Sequence, residues 1–246
     1  MRKIIFNENI IEIDEGLYFG KGVFETILVK NNIIFLKEHL ERLKFAVSEM
    51  NMEPLEIKEL EDYILKMKIK NVALKITVTP KNIIISTRNI PYKDEDYKKG
   101  YKLRLSKVIR NSTSRLTYIK STCYIENILE KEEALKFNYN DVLFINEKGY
   151  LTETSCANIF LVKNEEIITP KLKDGLLNGI IRKWIIDNYN VEERSIEYSE
   201  LSTFDEIFIT NSLMGVMHVV KIDELTFNKN RISSKIRANY ERLVQN

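Results

Sequence analysis

Residues 151–160 read LTETSCANIF: a carboxylate, Glu153, then Thr154, Ser155, Cys156, Ala157 and Asn158, with apolar residues at both ends. Strand-like apolar runs flank the stretch at 141–146 and 159–162, so the polar patch falls in or beside a sheet. An ionised carboxylate in a sheet is costly unless a cationic or protonated group faces it. The small residues behind Glu153 let a ligand approach the backbone. The competing reading is an edge strand with Glu153 turned to solvent, where Glu usually sits.

Working outward, the downstream pattern predicts a helix over 179–189, strands near 193–197, 206–210 and 216–222, and a terminal helix ending near Val244. Upstream, a helix over 124–137 precedes the strands. At the amino-terminal end, KIIF and IIEI around residues 7–9, and VFETILV and IIFL around residues 30–32, read as two hairpins. A helix over 36–50 follows, with Leu36, Leu40, Leu43, Val47 and Met50 on one face and Arg42 off it, on the side of His39 and Ala46. A second helix near 55–69 leads to strands near 72–79, 82–87 and 101–108. The segment RNSTSR at 110–115 is polar, rich in hydroxyls and without apolar period, which reads as a linker.

Mixed strands and helices in two blocks give an α+β fold of two domains, residues 1–109 and 116–246, joined by 110–115. A chain of 246 residues is close to the size at which a single core divides. The junction matters, because small-molecule sites often lie between domains.

Composition narrows the function. Lys plus Arg number 38 against 36 Asp plus Glu, a net +2 with the signs interspersed, which argues against nucleic-acid binding. No run of eighteen uncharged apolar residues exists to span a membrane. In MRKIIFNENIIEIDEG, acids break the apolar run before it reaches signal-peptide length, so a cytoplasmic protein is expected. Two cysteines, Cys123 and Cys156, and two histidines, His39 and His218, are too few for a zinc cluster; no metal is expected, and the thiols should be free.

Four local features carry chemistry. Lys120, in YIKSTCYIENILEKEEAL, stands among apolar and hydroxyl residues just past the linker, where an amine can act as a Schiff-base nucleophile; taken alone it reads as a surface lysine. Glu153 is the second. In GLLNGIIRKWII, residues 175–186, Asn178 is placed as an N-cap, and the following helix would offer N–H groups at Ile180 and Ile181 to an anion such as phosphate. In FITNSLMGV, residues 208–216, a strand ends at Asn211 and Ser212.

Their order changes the reading. The sequence resembles the class IV pyridoxal-phosphate enzymes, the group of branched-chain aminotransferases, D-amino-acid aminotransferases and aminodeoxychorismate lyases. The resemblance runs through YFGKGVFETI near 18–27, HLERL at 39–43, KSTCYIENILEKEEAL at 120–135, LTETSCANIF, LLNGIIR at 176–182 and NSLMGV at 211–216. It implies a fold-type IV architecture with pyridoxal 5′-phosphate at the domain interface, a small-molecule substrate and a homodimer. By the same matching, Lys120 is the Schiff-base lysine, Arg42 reaches the cofactor phosphate, and Glu153 faces the pyridine nitrogen. Tyr124 is placed to touch the ring hydroxyl, and Ile180, Ile181 and Ser212 complete the phosphate site. Each role suits its residue: Arg42 offers a planar donor array, and a carboxylate against the ring nitrogen favours the pyridinium.

NSLMGV resembles the lyases, which carry Asn, a small residue and Leu-Met here, more than the aminotransferases. The implied reaction is elimination of pyruvate from 4-amino-4-deoxychorismate to give 4-aminobenzoate, with a branched-chain or D-amino-acid aminotransferase as the alternative. Candidate substrate contacts are Thr26, Arg88, Arg110 and Asn211. The sequence departs from the pattern twice: a short turn at Pro80 replaces a Gly- and Arg-rich loop, and Cys123 stands where relatives often have Asn.

Overall fold

The computed structural model describes residues 2–8 and 10–245. The chain forms two compact units: unit 1 runs to Pro91 and also takes in Ile119–Tyr124, whereas unit 2 comprises Tyr92–Tyr118 and Ile125–Leu243. This division differs from the one expected. Residues 110–115 lie inside unit 2, and Lys120, placed by its sequence position in the second domain, belongs to unit 1. The cause is hydrogen bonding: Phe24 N–H donates to Lys120 O at 2.8 Å, Thr122 N–H donates to Gly22 O at 2.8 Å, and Val23 bridges Ser121.

Unit 1 contains β1 (Lys3–Phe6), α1 (Glu15–Phe19), β2 (Val23–Val29), α2 (Leu36–Glu49), α3 (Ile57–Leu65), β3 (Val72–Val78) and β4 (Asn82–Arg88). The strands form one sheet in the order β1-β4-β3-β2, with β1 parallel to β4 and the other pairs antiparallel. Alternate residues of β2, Val23, Ile27 and Val29, join Leu36, Leu40, Leu43 and Val47 of α2 in a buried core. The helical face expected from spacing is the one buried, and each such side chain contributes about 1.5–3 kcal/mol.

The first expected hairpin does not form. After β1 the chain bends at Asn7 (φ 49°), and the next residues pair through side chains instead of a strand: Glu12 N–H donates to Asn82 Oδ1, and Asn82 Nδ2 donates to Glu12 O. Asn9 lies outside the described residues. The second is a short one: Lys30 N–H donates to Asn32 O and Ile34 N–H to Leu28 O, both at 2.9 Å, around the Val29–Ile33 bridge, before Phe35, at φ 53°, turns the chain into α2.

Unit 2 contains α4 (Asp94–Lys99), β5 (Tyr101–Arg110), α5 (Ile125–Lys136), β6 (Asp141–Asn146), β7 (Leu151–Thr154), β8 (Asn158–Lys163), β9 (Glu166–Pro170), α6 (Ile180–Asn188), β10 (Val191–Arg194), β11 (Glu206–Asn211), β12 (Gly215–Ile222), β13 (Leu225–Thr226) and α7 (Arg231–Gln245). The sheet order is β10-β9-β8-β11-β12-β5-β6-β7, and β7 pairs back onto β8. Strands β8, β11, β12, β5, β6 and β7 therefore close on themselves, a ring whose long-range pairings periodicity alone does not reveal. Leu103, Leu143, Ile159, Leu161, Ile207, Ile209, Met217 and Val219 fill one face. Phe160 and Phe208, offset by one residue, stack on the other at 5.0 Å. Among the described residues no helix is long and apolar enough to cross a membrane.

Candidate active site

The site residues form two clusters, one in each unit. In unit 1, β2 presents alternate residues to opposite faces. Phe24 lies under two cations, with Lys120 Nζ 4.6 Å and Lys75 Nζ 4.7 Å from its ring centroid. Tyr124 meets the same ring edge-on at 5.3 Å, and Lys120 Nζ lies 5.4 Å from the Tyr124 ring. Lys120 and Tyr124 are thus brought together. Burial, and then Arg88, push the Lys75 ammonium below its ordinary pKa. Register puts Lys75 opposite Thr26 and Ser86, so Thr26 shares this cationic face, whereas Arg88 is exposed at the end of β4. Sequence reasoning missed Lys75; its signal was a lone cation between Leu74 and Ile76 in an otherwise apolar strand.

On the opposite face of β2, Glu25 is 1% exposed. Arg42 grips it side-on, Nε to Oε1 and Nη2 to Oε2, both at 2.7 Å, and His39 Nδ1 reaches Oε2 at 2.6 Å. Burial alone would raise the Glu25 carboxyl; Arg42 and His39 outweigh it and hold it well below the usual range. Burial pushes the His39 imidazole down, against the opposing pull of Glu25, which favours a neutral ring donating Nδ1–H. Neither Glu25 nor His39 was among the expected site residues, since FETI and HLERL are separated by a turn and each reads as an ordinary amphipathic segment.

In unit 2, Glu153 pairs in register with Asn158, and Asn158 with Thr210, on three adjacent strands. The Glu153 Oε2 atom accepts from Leu177 N–H at 3.2 Å and from the Asn158 amide at 3.4 Å, and the same amide donates to Leu177 O at 2.8 Å. The carboxylate is thereby tied to the segment that enters α6. That helix starts from Gly179 (φ −69°, ψ 145°), not from the expected Asn178 cap, and without a side-chain capping bond. A Cβ at Gly179 would lie 2.0 Å from Asn158 Oδ1, so only glycine allows this approach. Ile180 and Ile181 follow, their N–H groups preceding the first helical bond, from Lys183 N–H to Gly179 O. The Thr210 hydroxyl is buried without a partner among the described residues.

The tight turn between β7 and β8 explains the run of small residues. Thr154 N–H donates to Ala157 O at 2.8 Å, and Thr154 Oγ1 accepts from Ala157 N–H at 3.0 Å. Asn127 of α5 donates to Ser155 O at 2.7 Å.

Two expected substrate contacts have other work in the structure. Arg110 lies 3.8 Å over the Phe144 ring and bonds Asn127 at 2.9 Å and Glu126 at 3.2 Å, so its guanidinium braces α5 and, through Asn127, the Ser155 turn. Asn211 folds its amide into the turn that holds Ser212: Oδ1 accepts from Leu213 N–H at 3.0 Å and Met214 N–H at 2.9 Å, and Nδ2 donates to the Tyr92 hydroxyl at 3.0 Å. Its contacts shape that turn.

These residues suit pyridoxal phosphate chemically. Unit 1 supplies an amine beside aromatic rings and an oriented guanidinium; unit 2 supplies a held carboxylate and a glycine-led helix start. Comparison with known proteins agrees. The family described as amino-transferase class IV matches residues 22–222. A protein of Aquifex aeolicus (strain VF5) named "probable branched-chain-amino-acid aminotransferase" is 30% identical over 259 residues, covering 89% of this chain and 83% of its own. The aminodeoxychorismate lyase of Bacillus subtilis (strain 168) is 28% identical over 260 residues, covering 95% and 89%. A solved structure from Legionella pneumophila, named as a candidate 4-amino-4-deoxychorismate lyase, superposes with a TM-score of 0.87 at 26% identity, covering 97% of this chain and 98% of that one.

Proposed function

The chain belongs to the class IV aminotransferase family, whose members depend on pyridoxal phosphate, and from that premise we propose that it is a 4-amino-4-deoxychorismate lyase releasing pyruvate and 4-aminobenzoate. The observation that carries this reading is the turn at 211–214. Asn-Ser-Leu-Met is the lyase-like pattern, and here the asparagine amide closes the turn on the Leu213 and Met214 N–H groups. The face bearing Thr26, Lys75 and Lys120 supports it, because a half-buried cation suits a substrate with carboxylates.

In this reading Lys120 carries the cofactor and, released as an amine, takes the proton from the ring carbon bearing the substrate amine. The ring carbon–oxygen bond then breaks to release enolpyruvate, which becomes pyruvate on protonation at its methylene carbon, while the ring becomes aromatic. Arg42 and the N–H groups of Ile180 and Ile181, with Ser212, would hold the phosphate. Glu153 would face the pyridine nitrogen and favour its protonated form, and Tyr124 would meet the ring hydroxyl. The cofactor supplies the electron sink.

A second reading, a branched-chain aminotransferase, is favoured by the Aquifex relative's 30% identity. Incubation with aminodeoxychorismate and no keto acid separates them: formation of 4-aminobenzoate supports the lyase, and turnover only with an amino donor plus an acceptor supports the transaminase. We also propose a homodimer, supported by apolar side chains left exposed within unit 1, Ile10, Leu17, Tyr18 and Phe19, and on α5, Ile125 and Leu129. Light scattering at one chain mass would overturn it.

A further inference from the structure

The side-on pair in unit 1 has a use beyond binding charge. Val23, Glu25, Ile27 and Val29 alternate toward α2, and three of the four are apolar members of the core. A carboxylate among them costs stability unless it is compensated, and replacing it with an apolar residue would often be neutral or better. Here the compensation comes from two residues three apart on one helix face, His39 and Arg42. The Arg42 side chain is 14% exposed against 1% for Glu25, so the guanidinium stands at the edge of the core with its inner edge clamped.

We propose that Glu25, backed by His39, is a positioning residue that fixes the plane of Arg42 for an incoming phosphate ester; this rests on the reading of Arg42 as the phosphate ligand. An arginine side chain is rich in rotamers, and a planar fork held in advance loses less of that freedom on binding. The two effects of Glu25 oppose each other. Its negative charge weakens attraction for a dianion, whereas its clamp improves geometry. Orientation prevails if removing the charge while keeping the shape weakens phosphate binding.

The experiment compares pyridoxamine 5′-phosphate with pyridoxamine, which lacks the phosphate and forms no imine with lysines, binding to apoprotein by calorimetry. Glu25→Gln should lower the ratio of the two affinities on the order of tenfold, as loss of an outer partner does for other held ligands, with pyridoxamine affinity little changed. A ratio that is unchanged or raised overturns the proposal, as does an equal loss for both ligands, the mark of a structural role. Arg42→Ala serves as the reference. If it leaves the ratio intact, the phosphate reading of Arg42 fails. If it collapses the ratio and Glu25→Gln does not, only the positioning role fails. Should Glu25→Gln not fold, Glu25→Asp, which draws the carboxylate back by one methylene, reads the same ratio.

Discussion

In unit 1 the carboxylate Glu25 meets an arginine and a histidine at 2.6–2.7 Å and is sealed from solvent. In unit 2 the Oε2 atom of Glu153 accepts from a backbone N–H and an amide at 3.2–3.4 Å, in a half-buried position. The first is matched by the Arg42 cation and by the neutral His39 ring, and suits holding that cation in place. The second accepts from a backbone N–H and a side-chain amide, dipoles that fix the direction of the carboxylate. The two carboxylates thus differ in what holds them, a guanidinium in one case and a backbone-anchored turn in the other.

The largest effect should come from removing the amine beside the Phe24 and Tyr124 rings. Lys120→Ala is expected to lower turnover by at least about 10³-fold and to abolish the visible absorbance of lysine-bound cofactor; retention of both would remove the chemistry from the unit 1 cluster. Next comes Glu153→Ala, expected to lower kcat on the order of 10²-fold while that absorbance persists. An equally active variant would make Glu153 a solvent-facing strand residue and dissolve the contrast with Glu25. Asn158→Ala, which removes one of the donors aiming Glu153, should cost about tenfold in kcat. Combined with Glu153→Ala it should add little, since both act through one carboxylate.

The smallest effect is on acid stability. Glu25 has a folded pKa below its unfolded one, so its contribution is fully present above the ordinary Glu value of about 4.3 and is lost as pH falls from there toward the depressed folded value. Wild-type chain should lose thermal stability through that window, and Glu25→Gln should show a shallower loss. Parallel curves would mean the ion pair is no stronger folded than unfolded.

The sequence made Glu153 visible because five small or polar residues follow it where a sheet should be apolar, and the tight turn at 154–157 is the physical reason for them. Glu25 was invisible because its partners come from a helix eleven or more positions away, and a single acid in VFETILV breaks no pattern. Helix α2 was legible from its period. The closed ring in unit 2 was not, since it depends on β7 returning to β8 and on β5 pairing with the distant β12. The place of Lys120 in unit 1 was hidden for the same reason: the bond between Phe24 N–H and Lys120 O joins residues 96 positions apart. Arg110 and Asn211 were read as candidate substrate contacts; the partners they have in the structure, Phe144 and the turn N–H groups, follow from folding and not from spacing.

The lyase reaction is tested most directly by the product that purified holoenzyme forms from 4-amino-4-deoxychorismate with no keto acid present. Equal amounts of 4-aminobenzoate and pyruvate, lost in Lys120→Ala, are the expected result. No 4-aminobenzoate, together with amino transfer from branched-chain amino acids to 2-oxoglutarate by the same preparation, would contradict it.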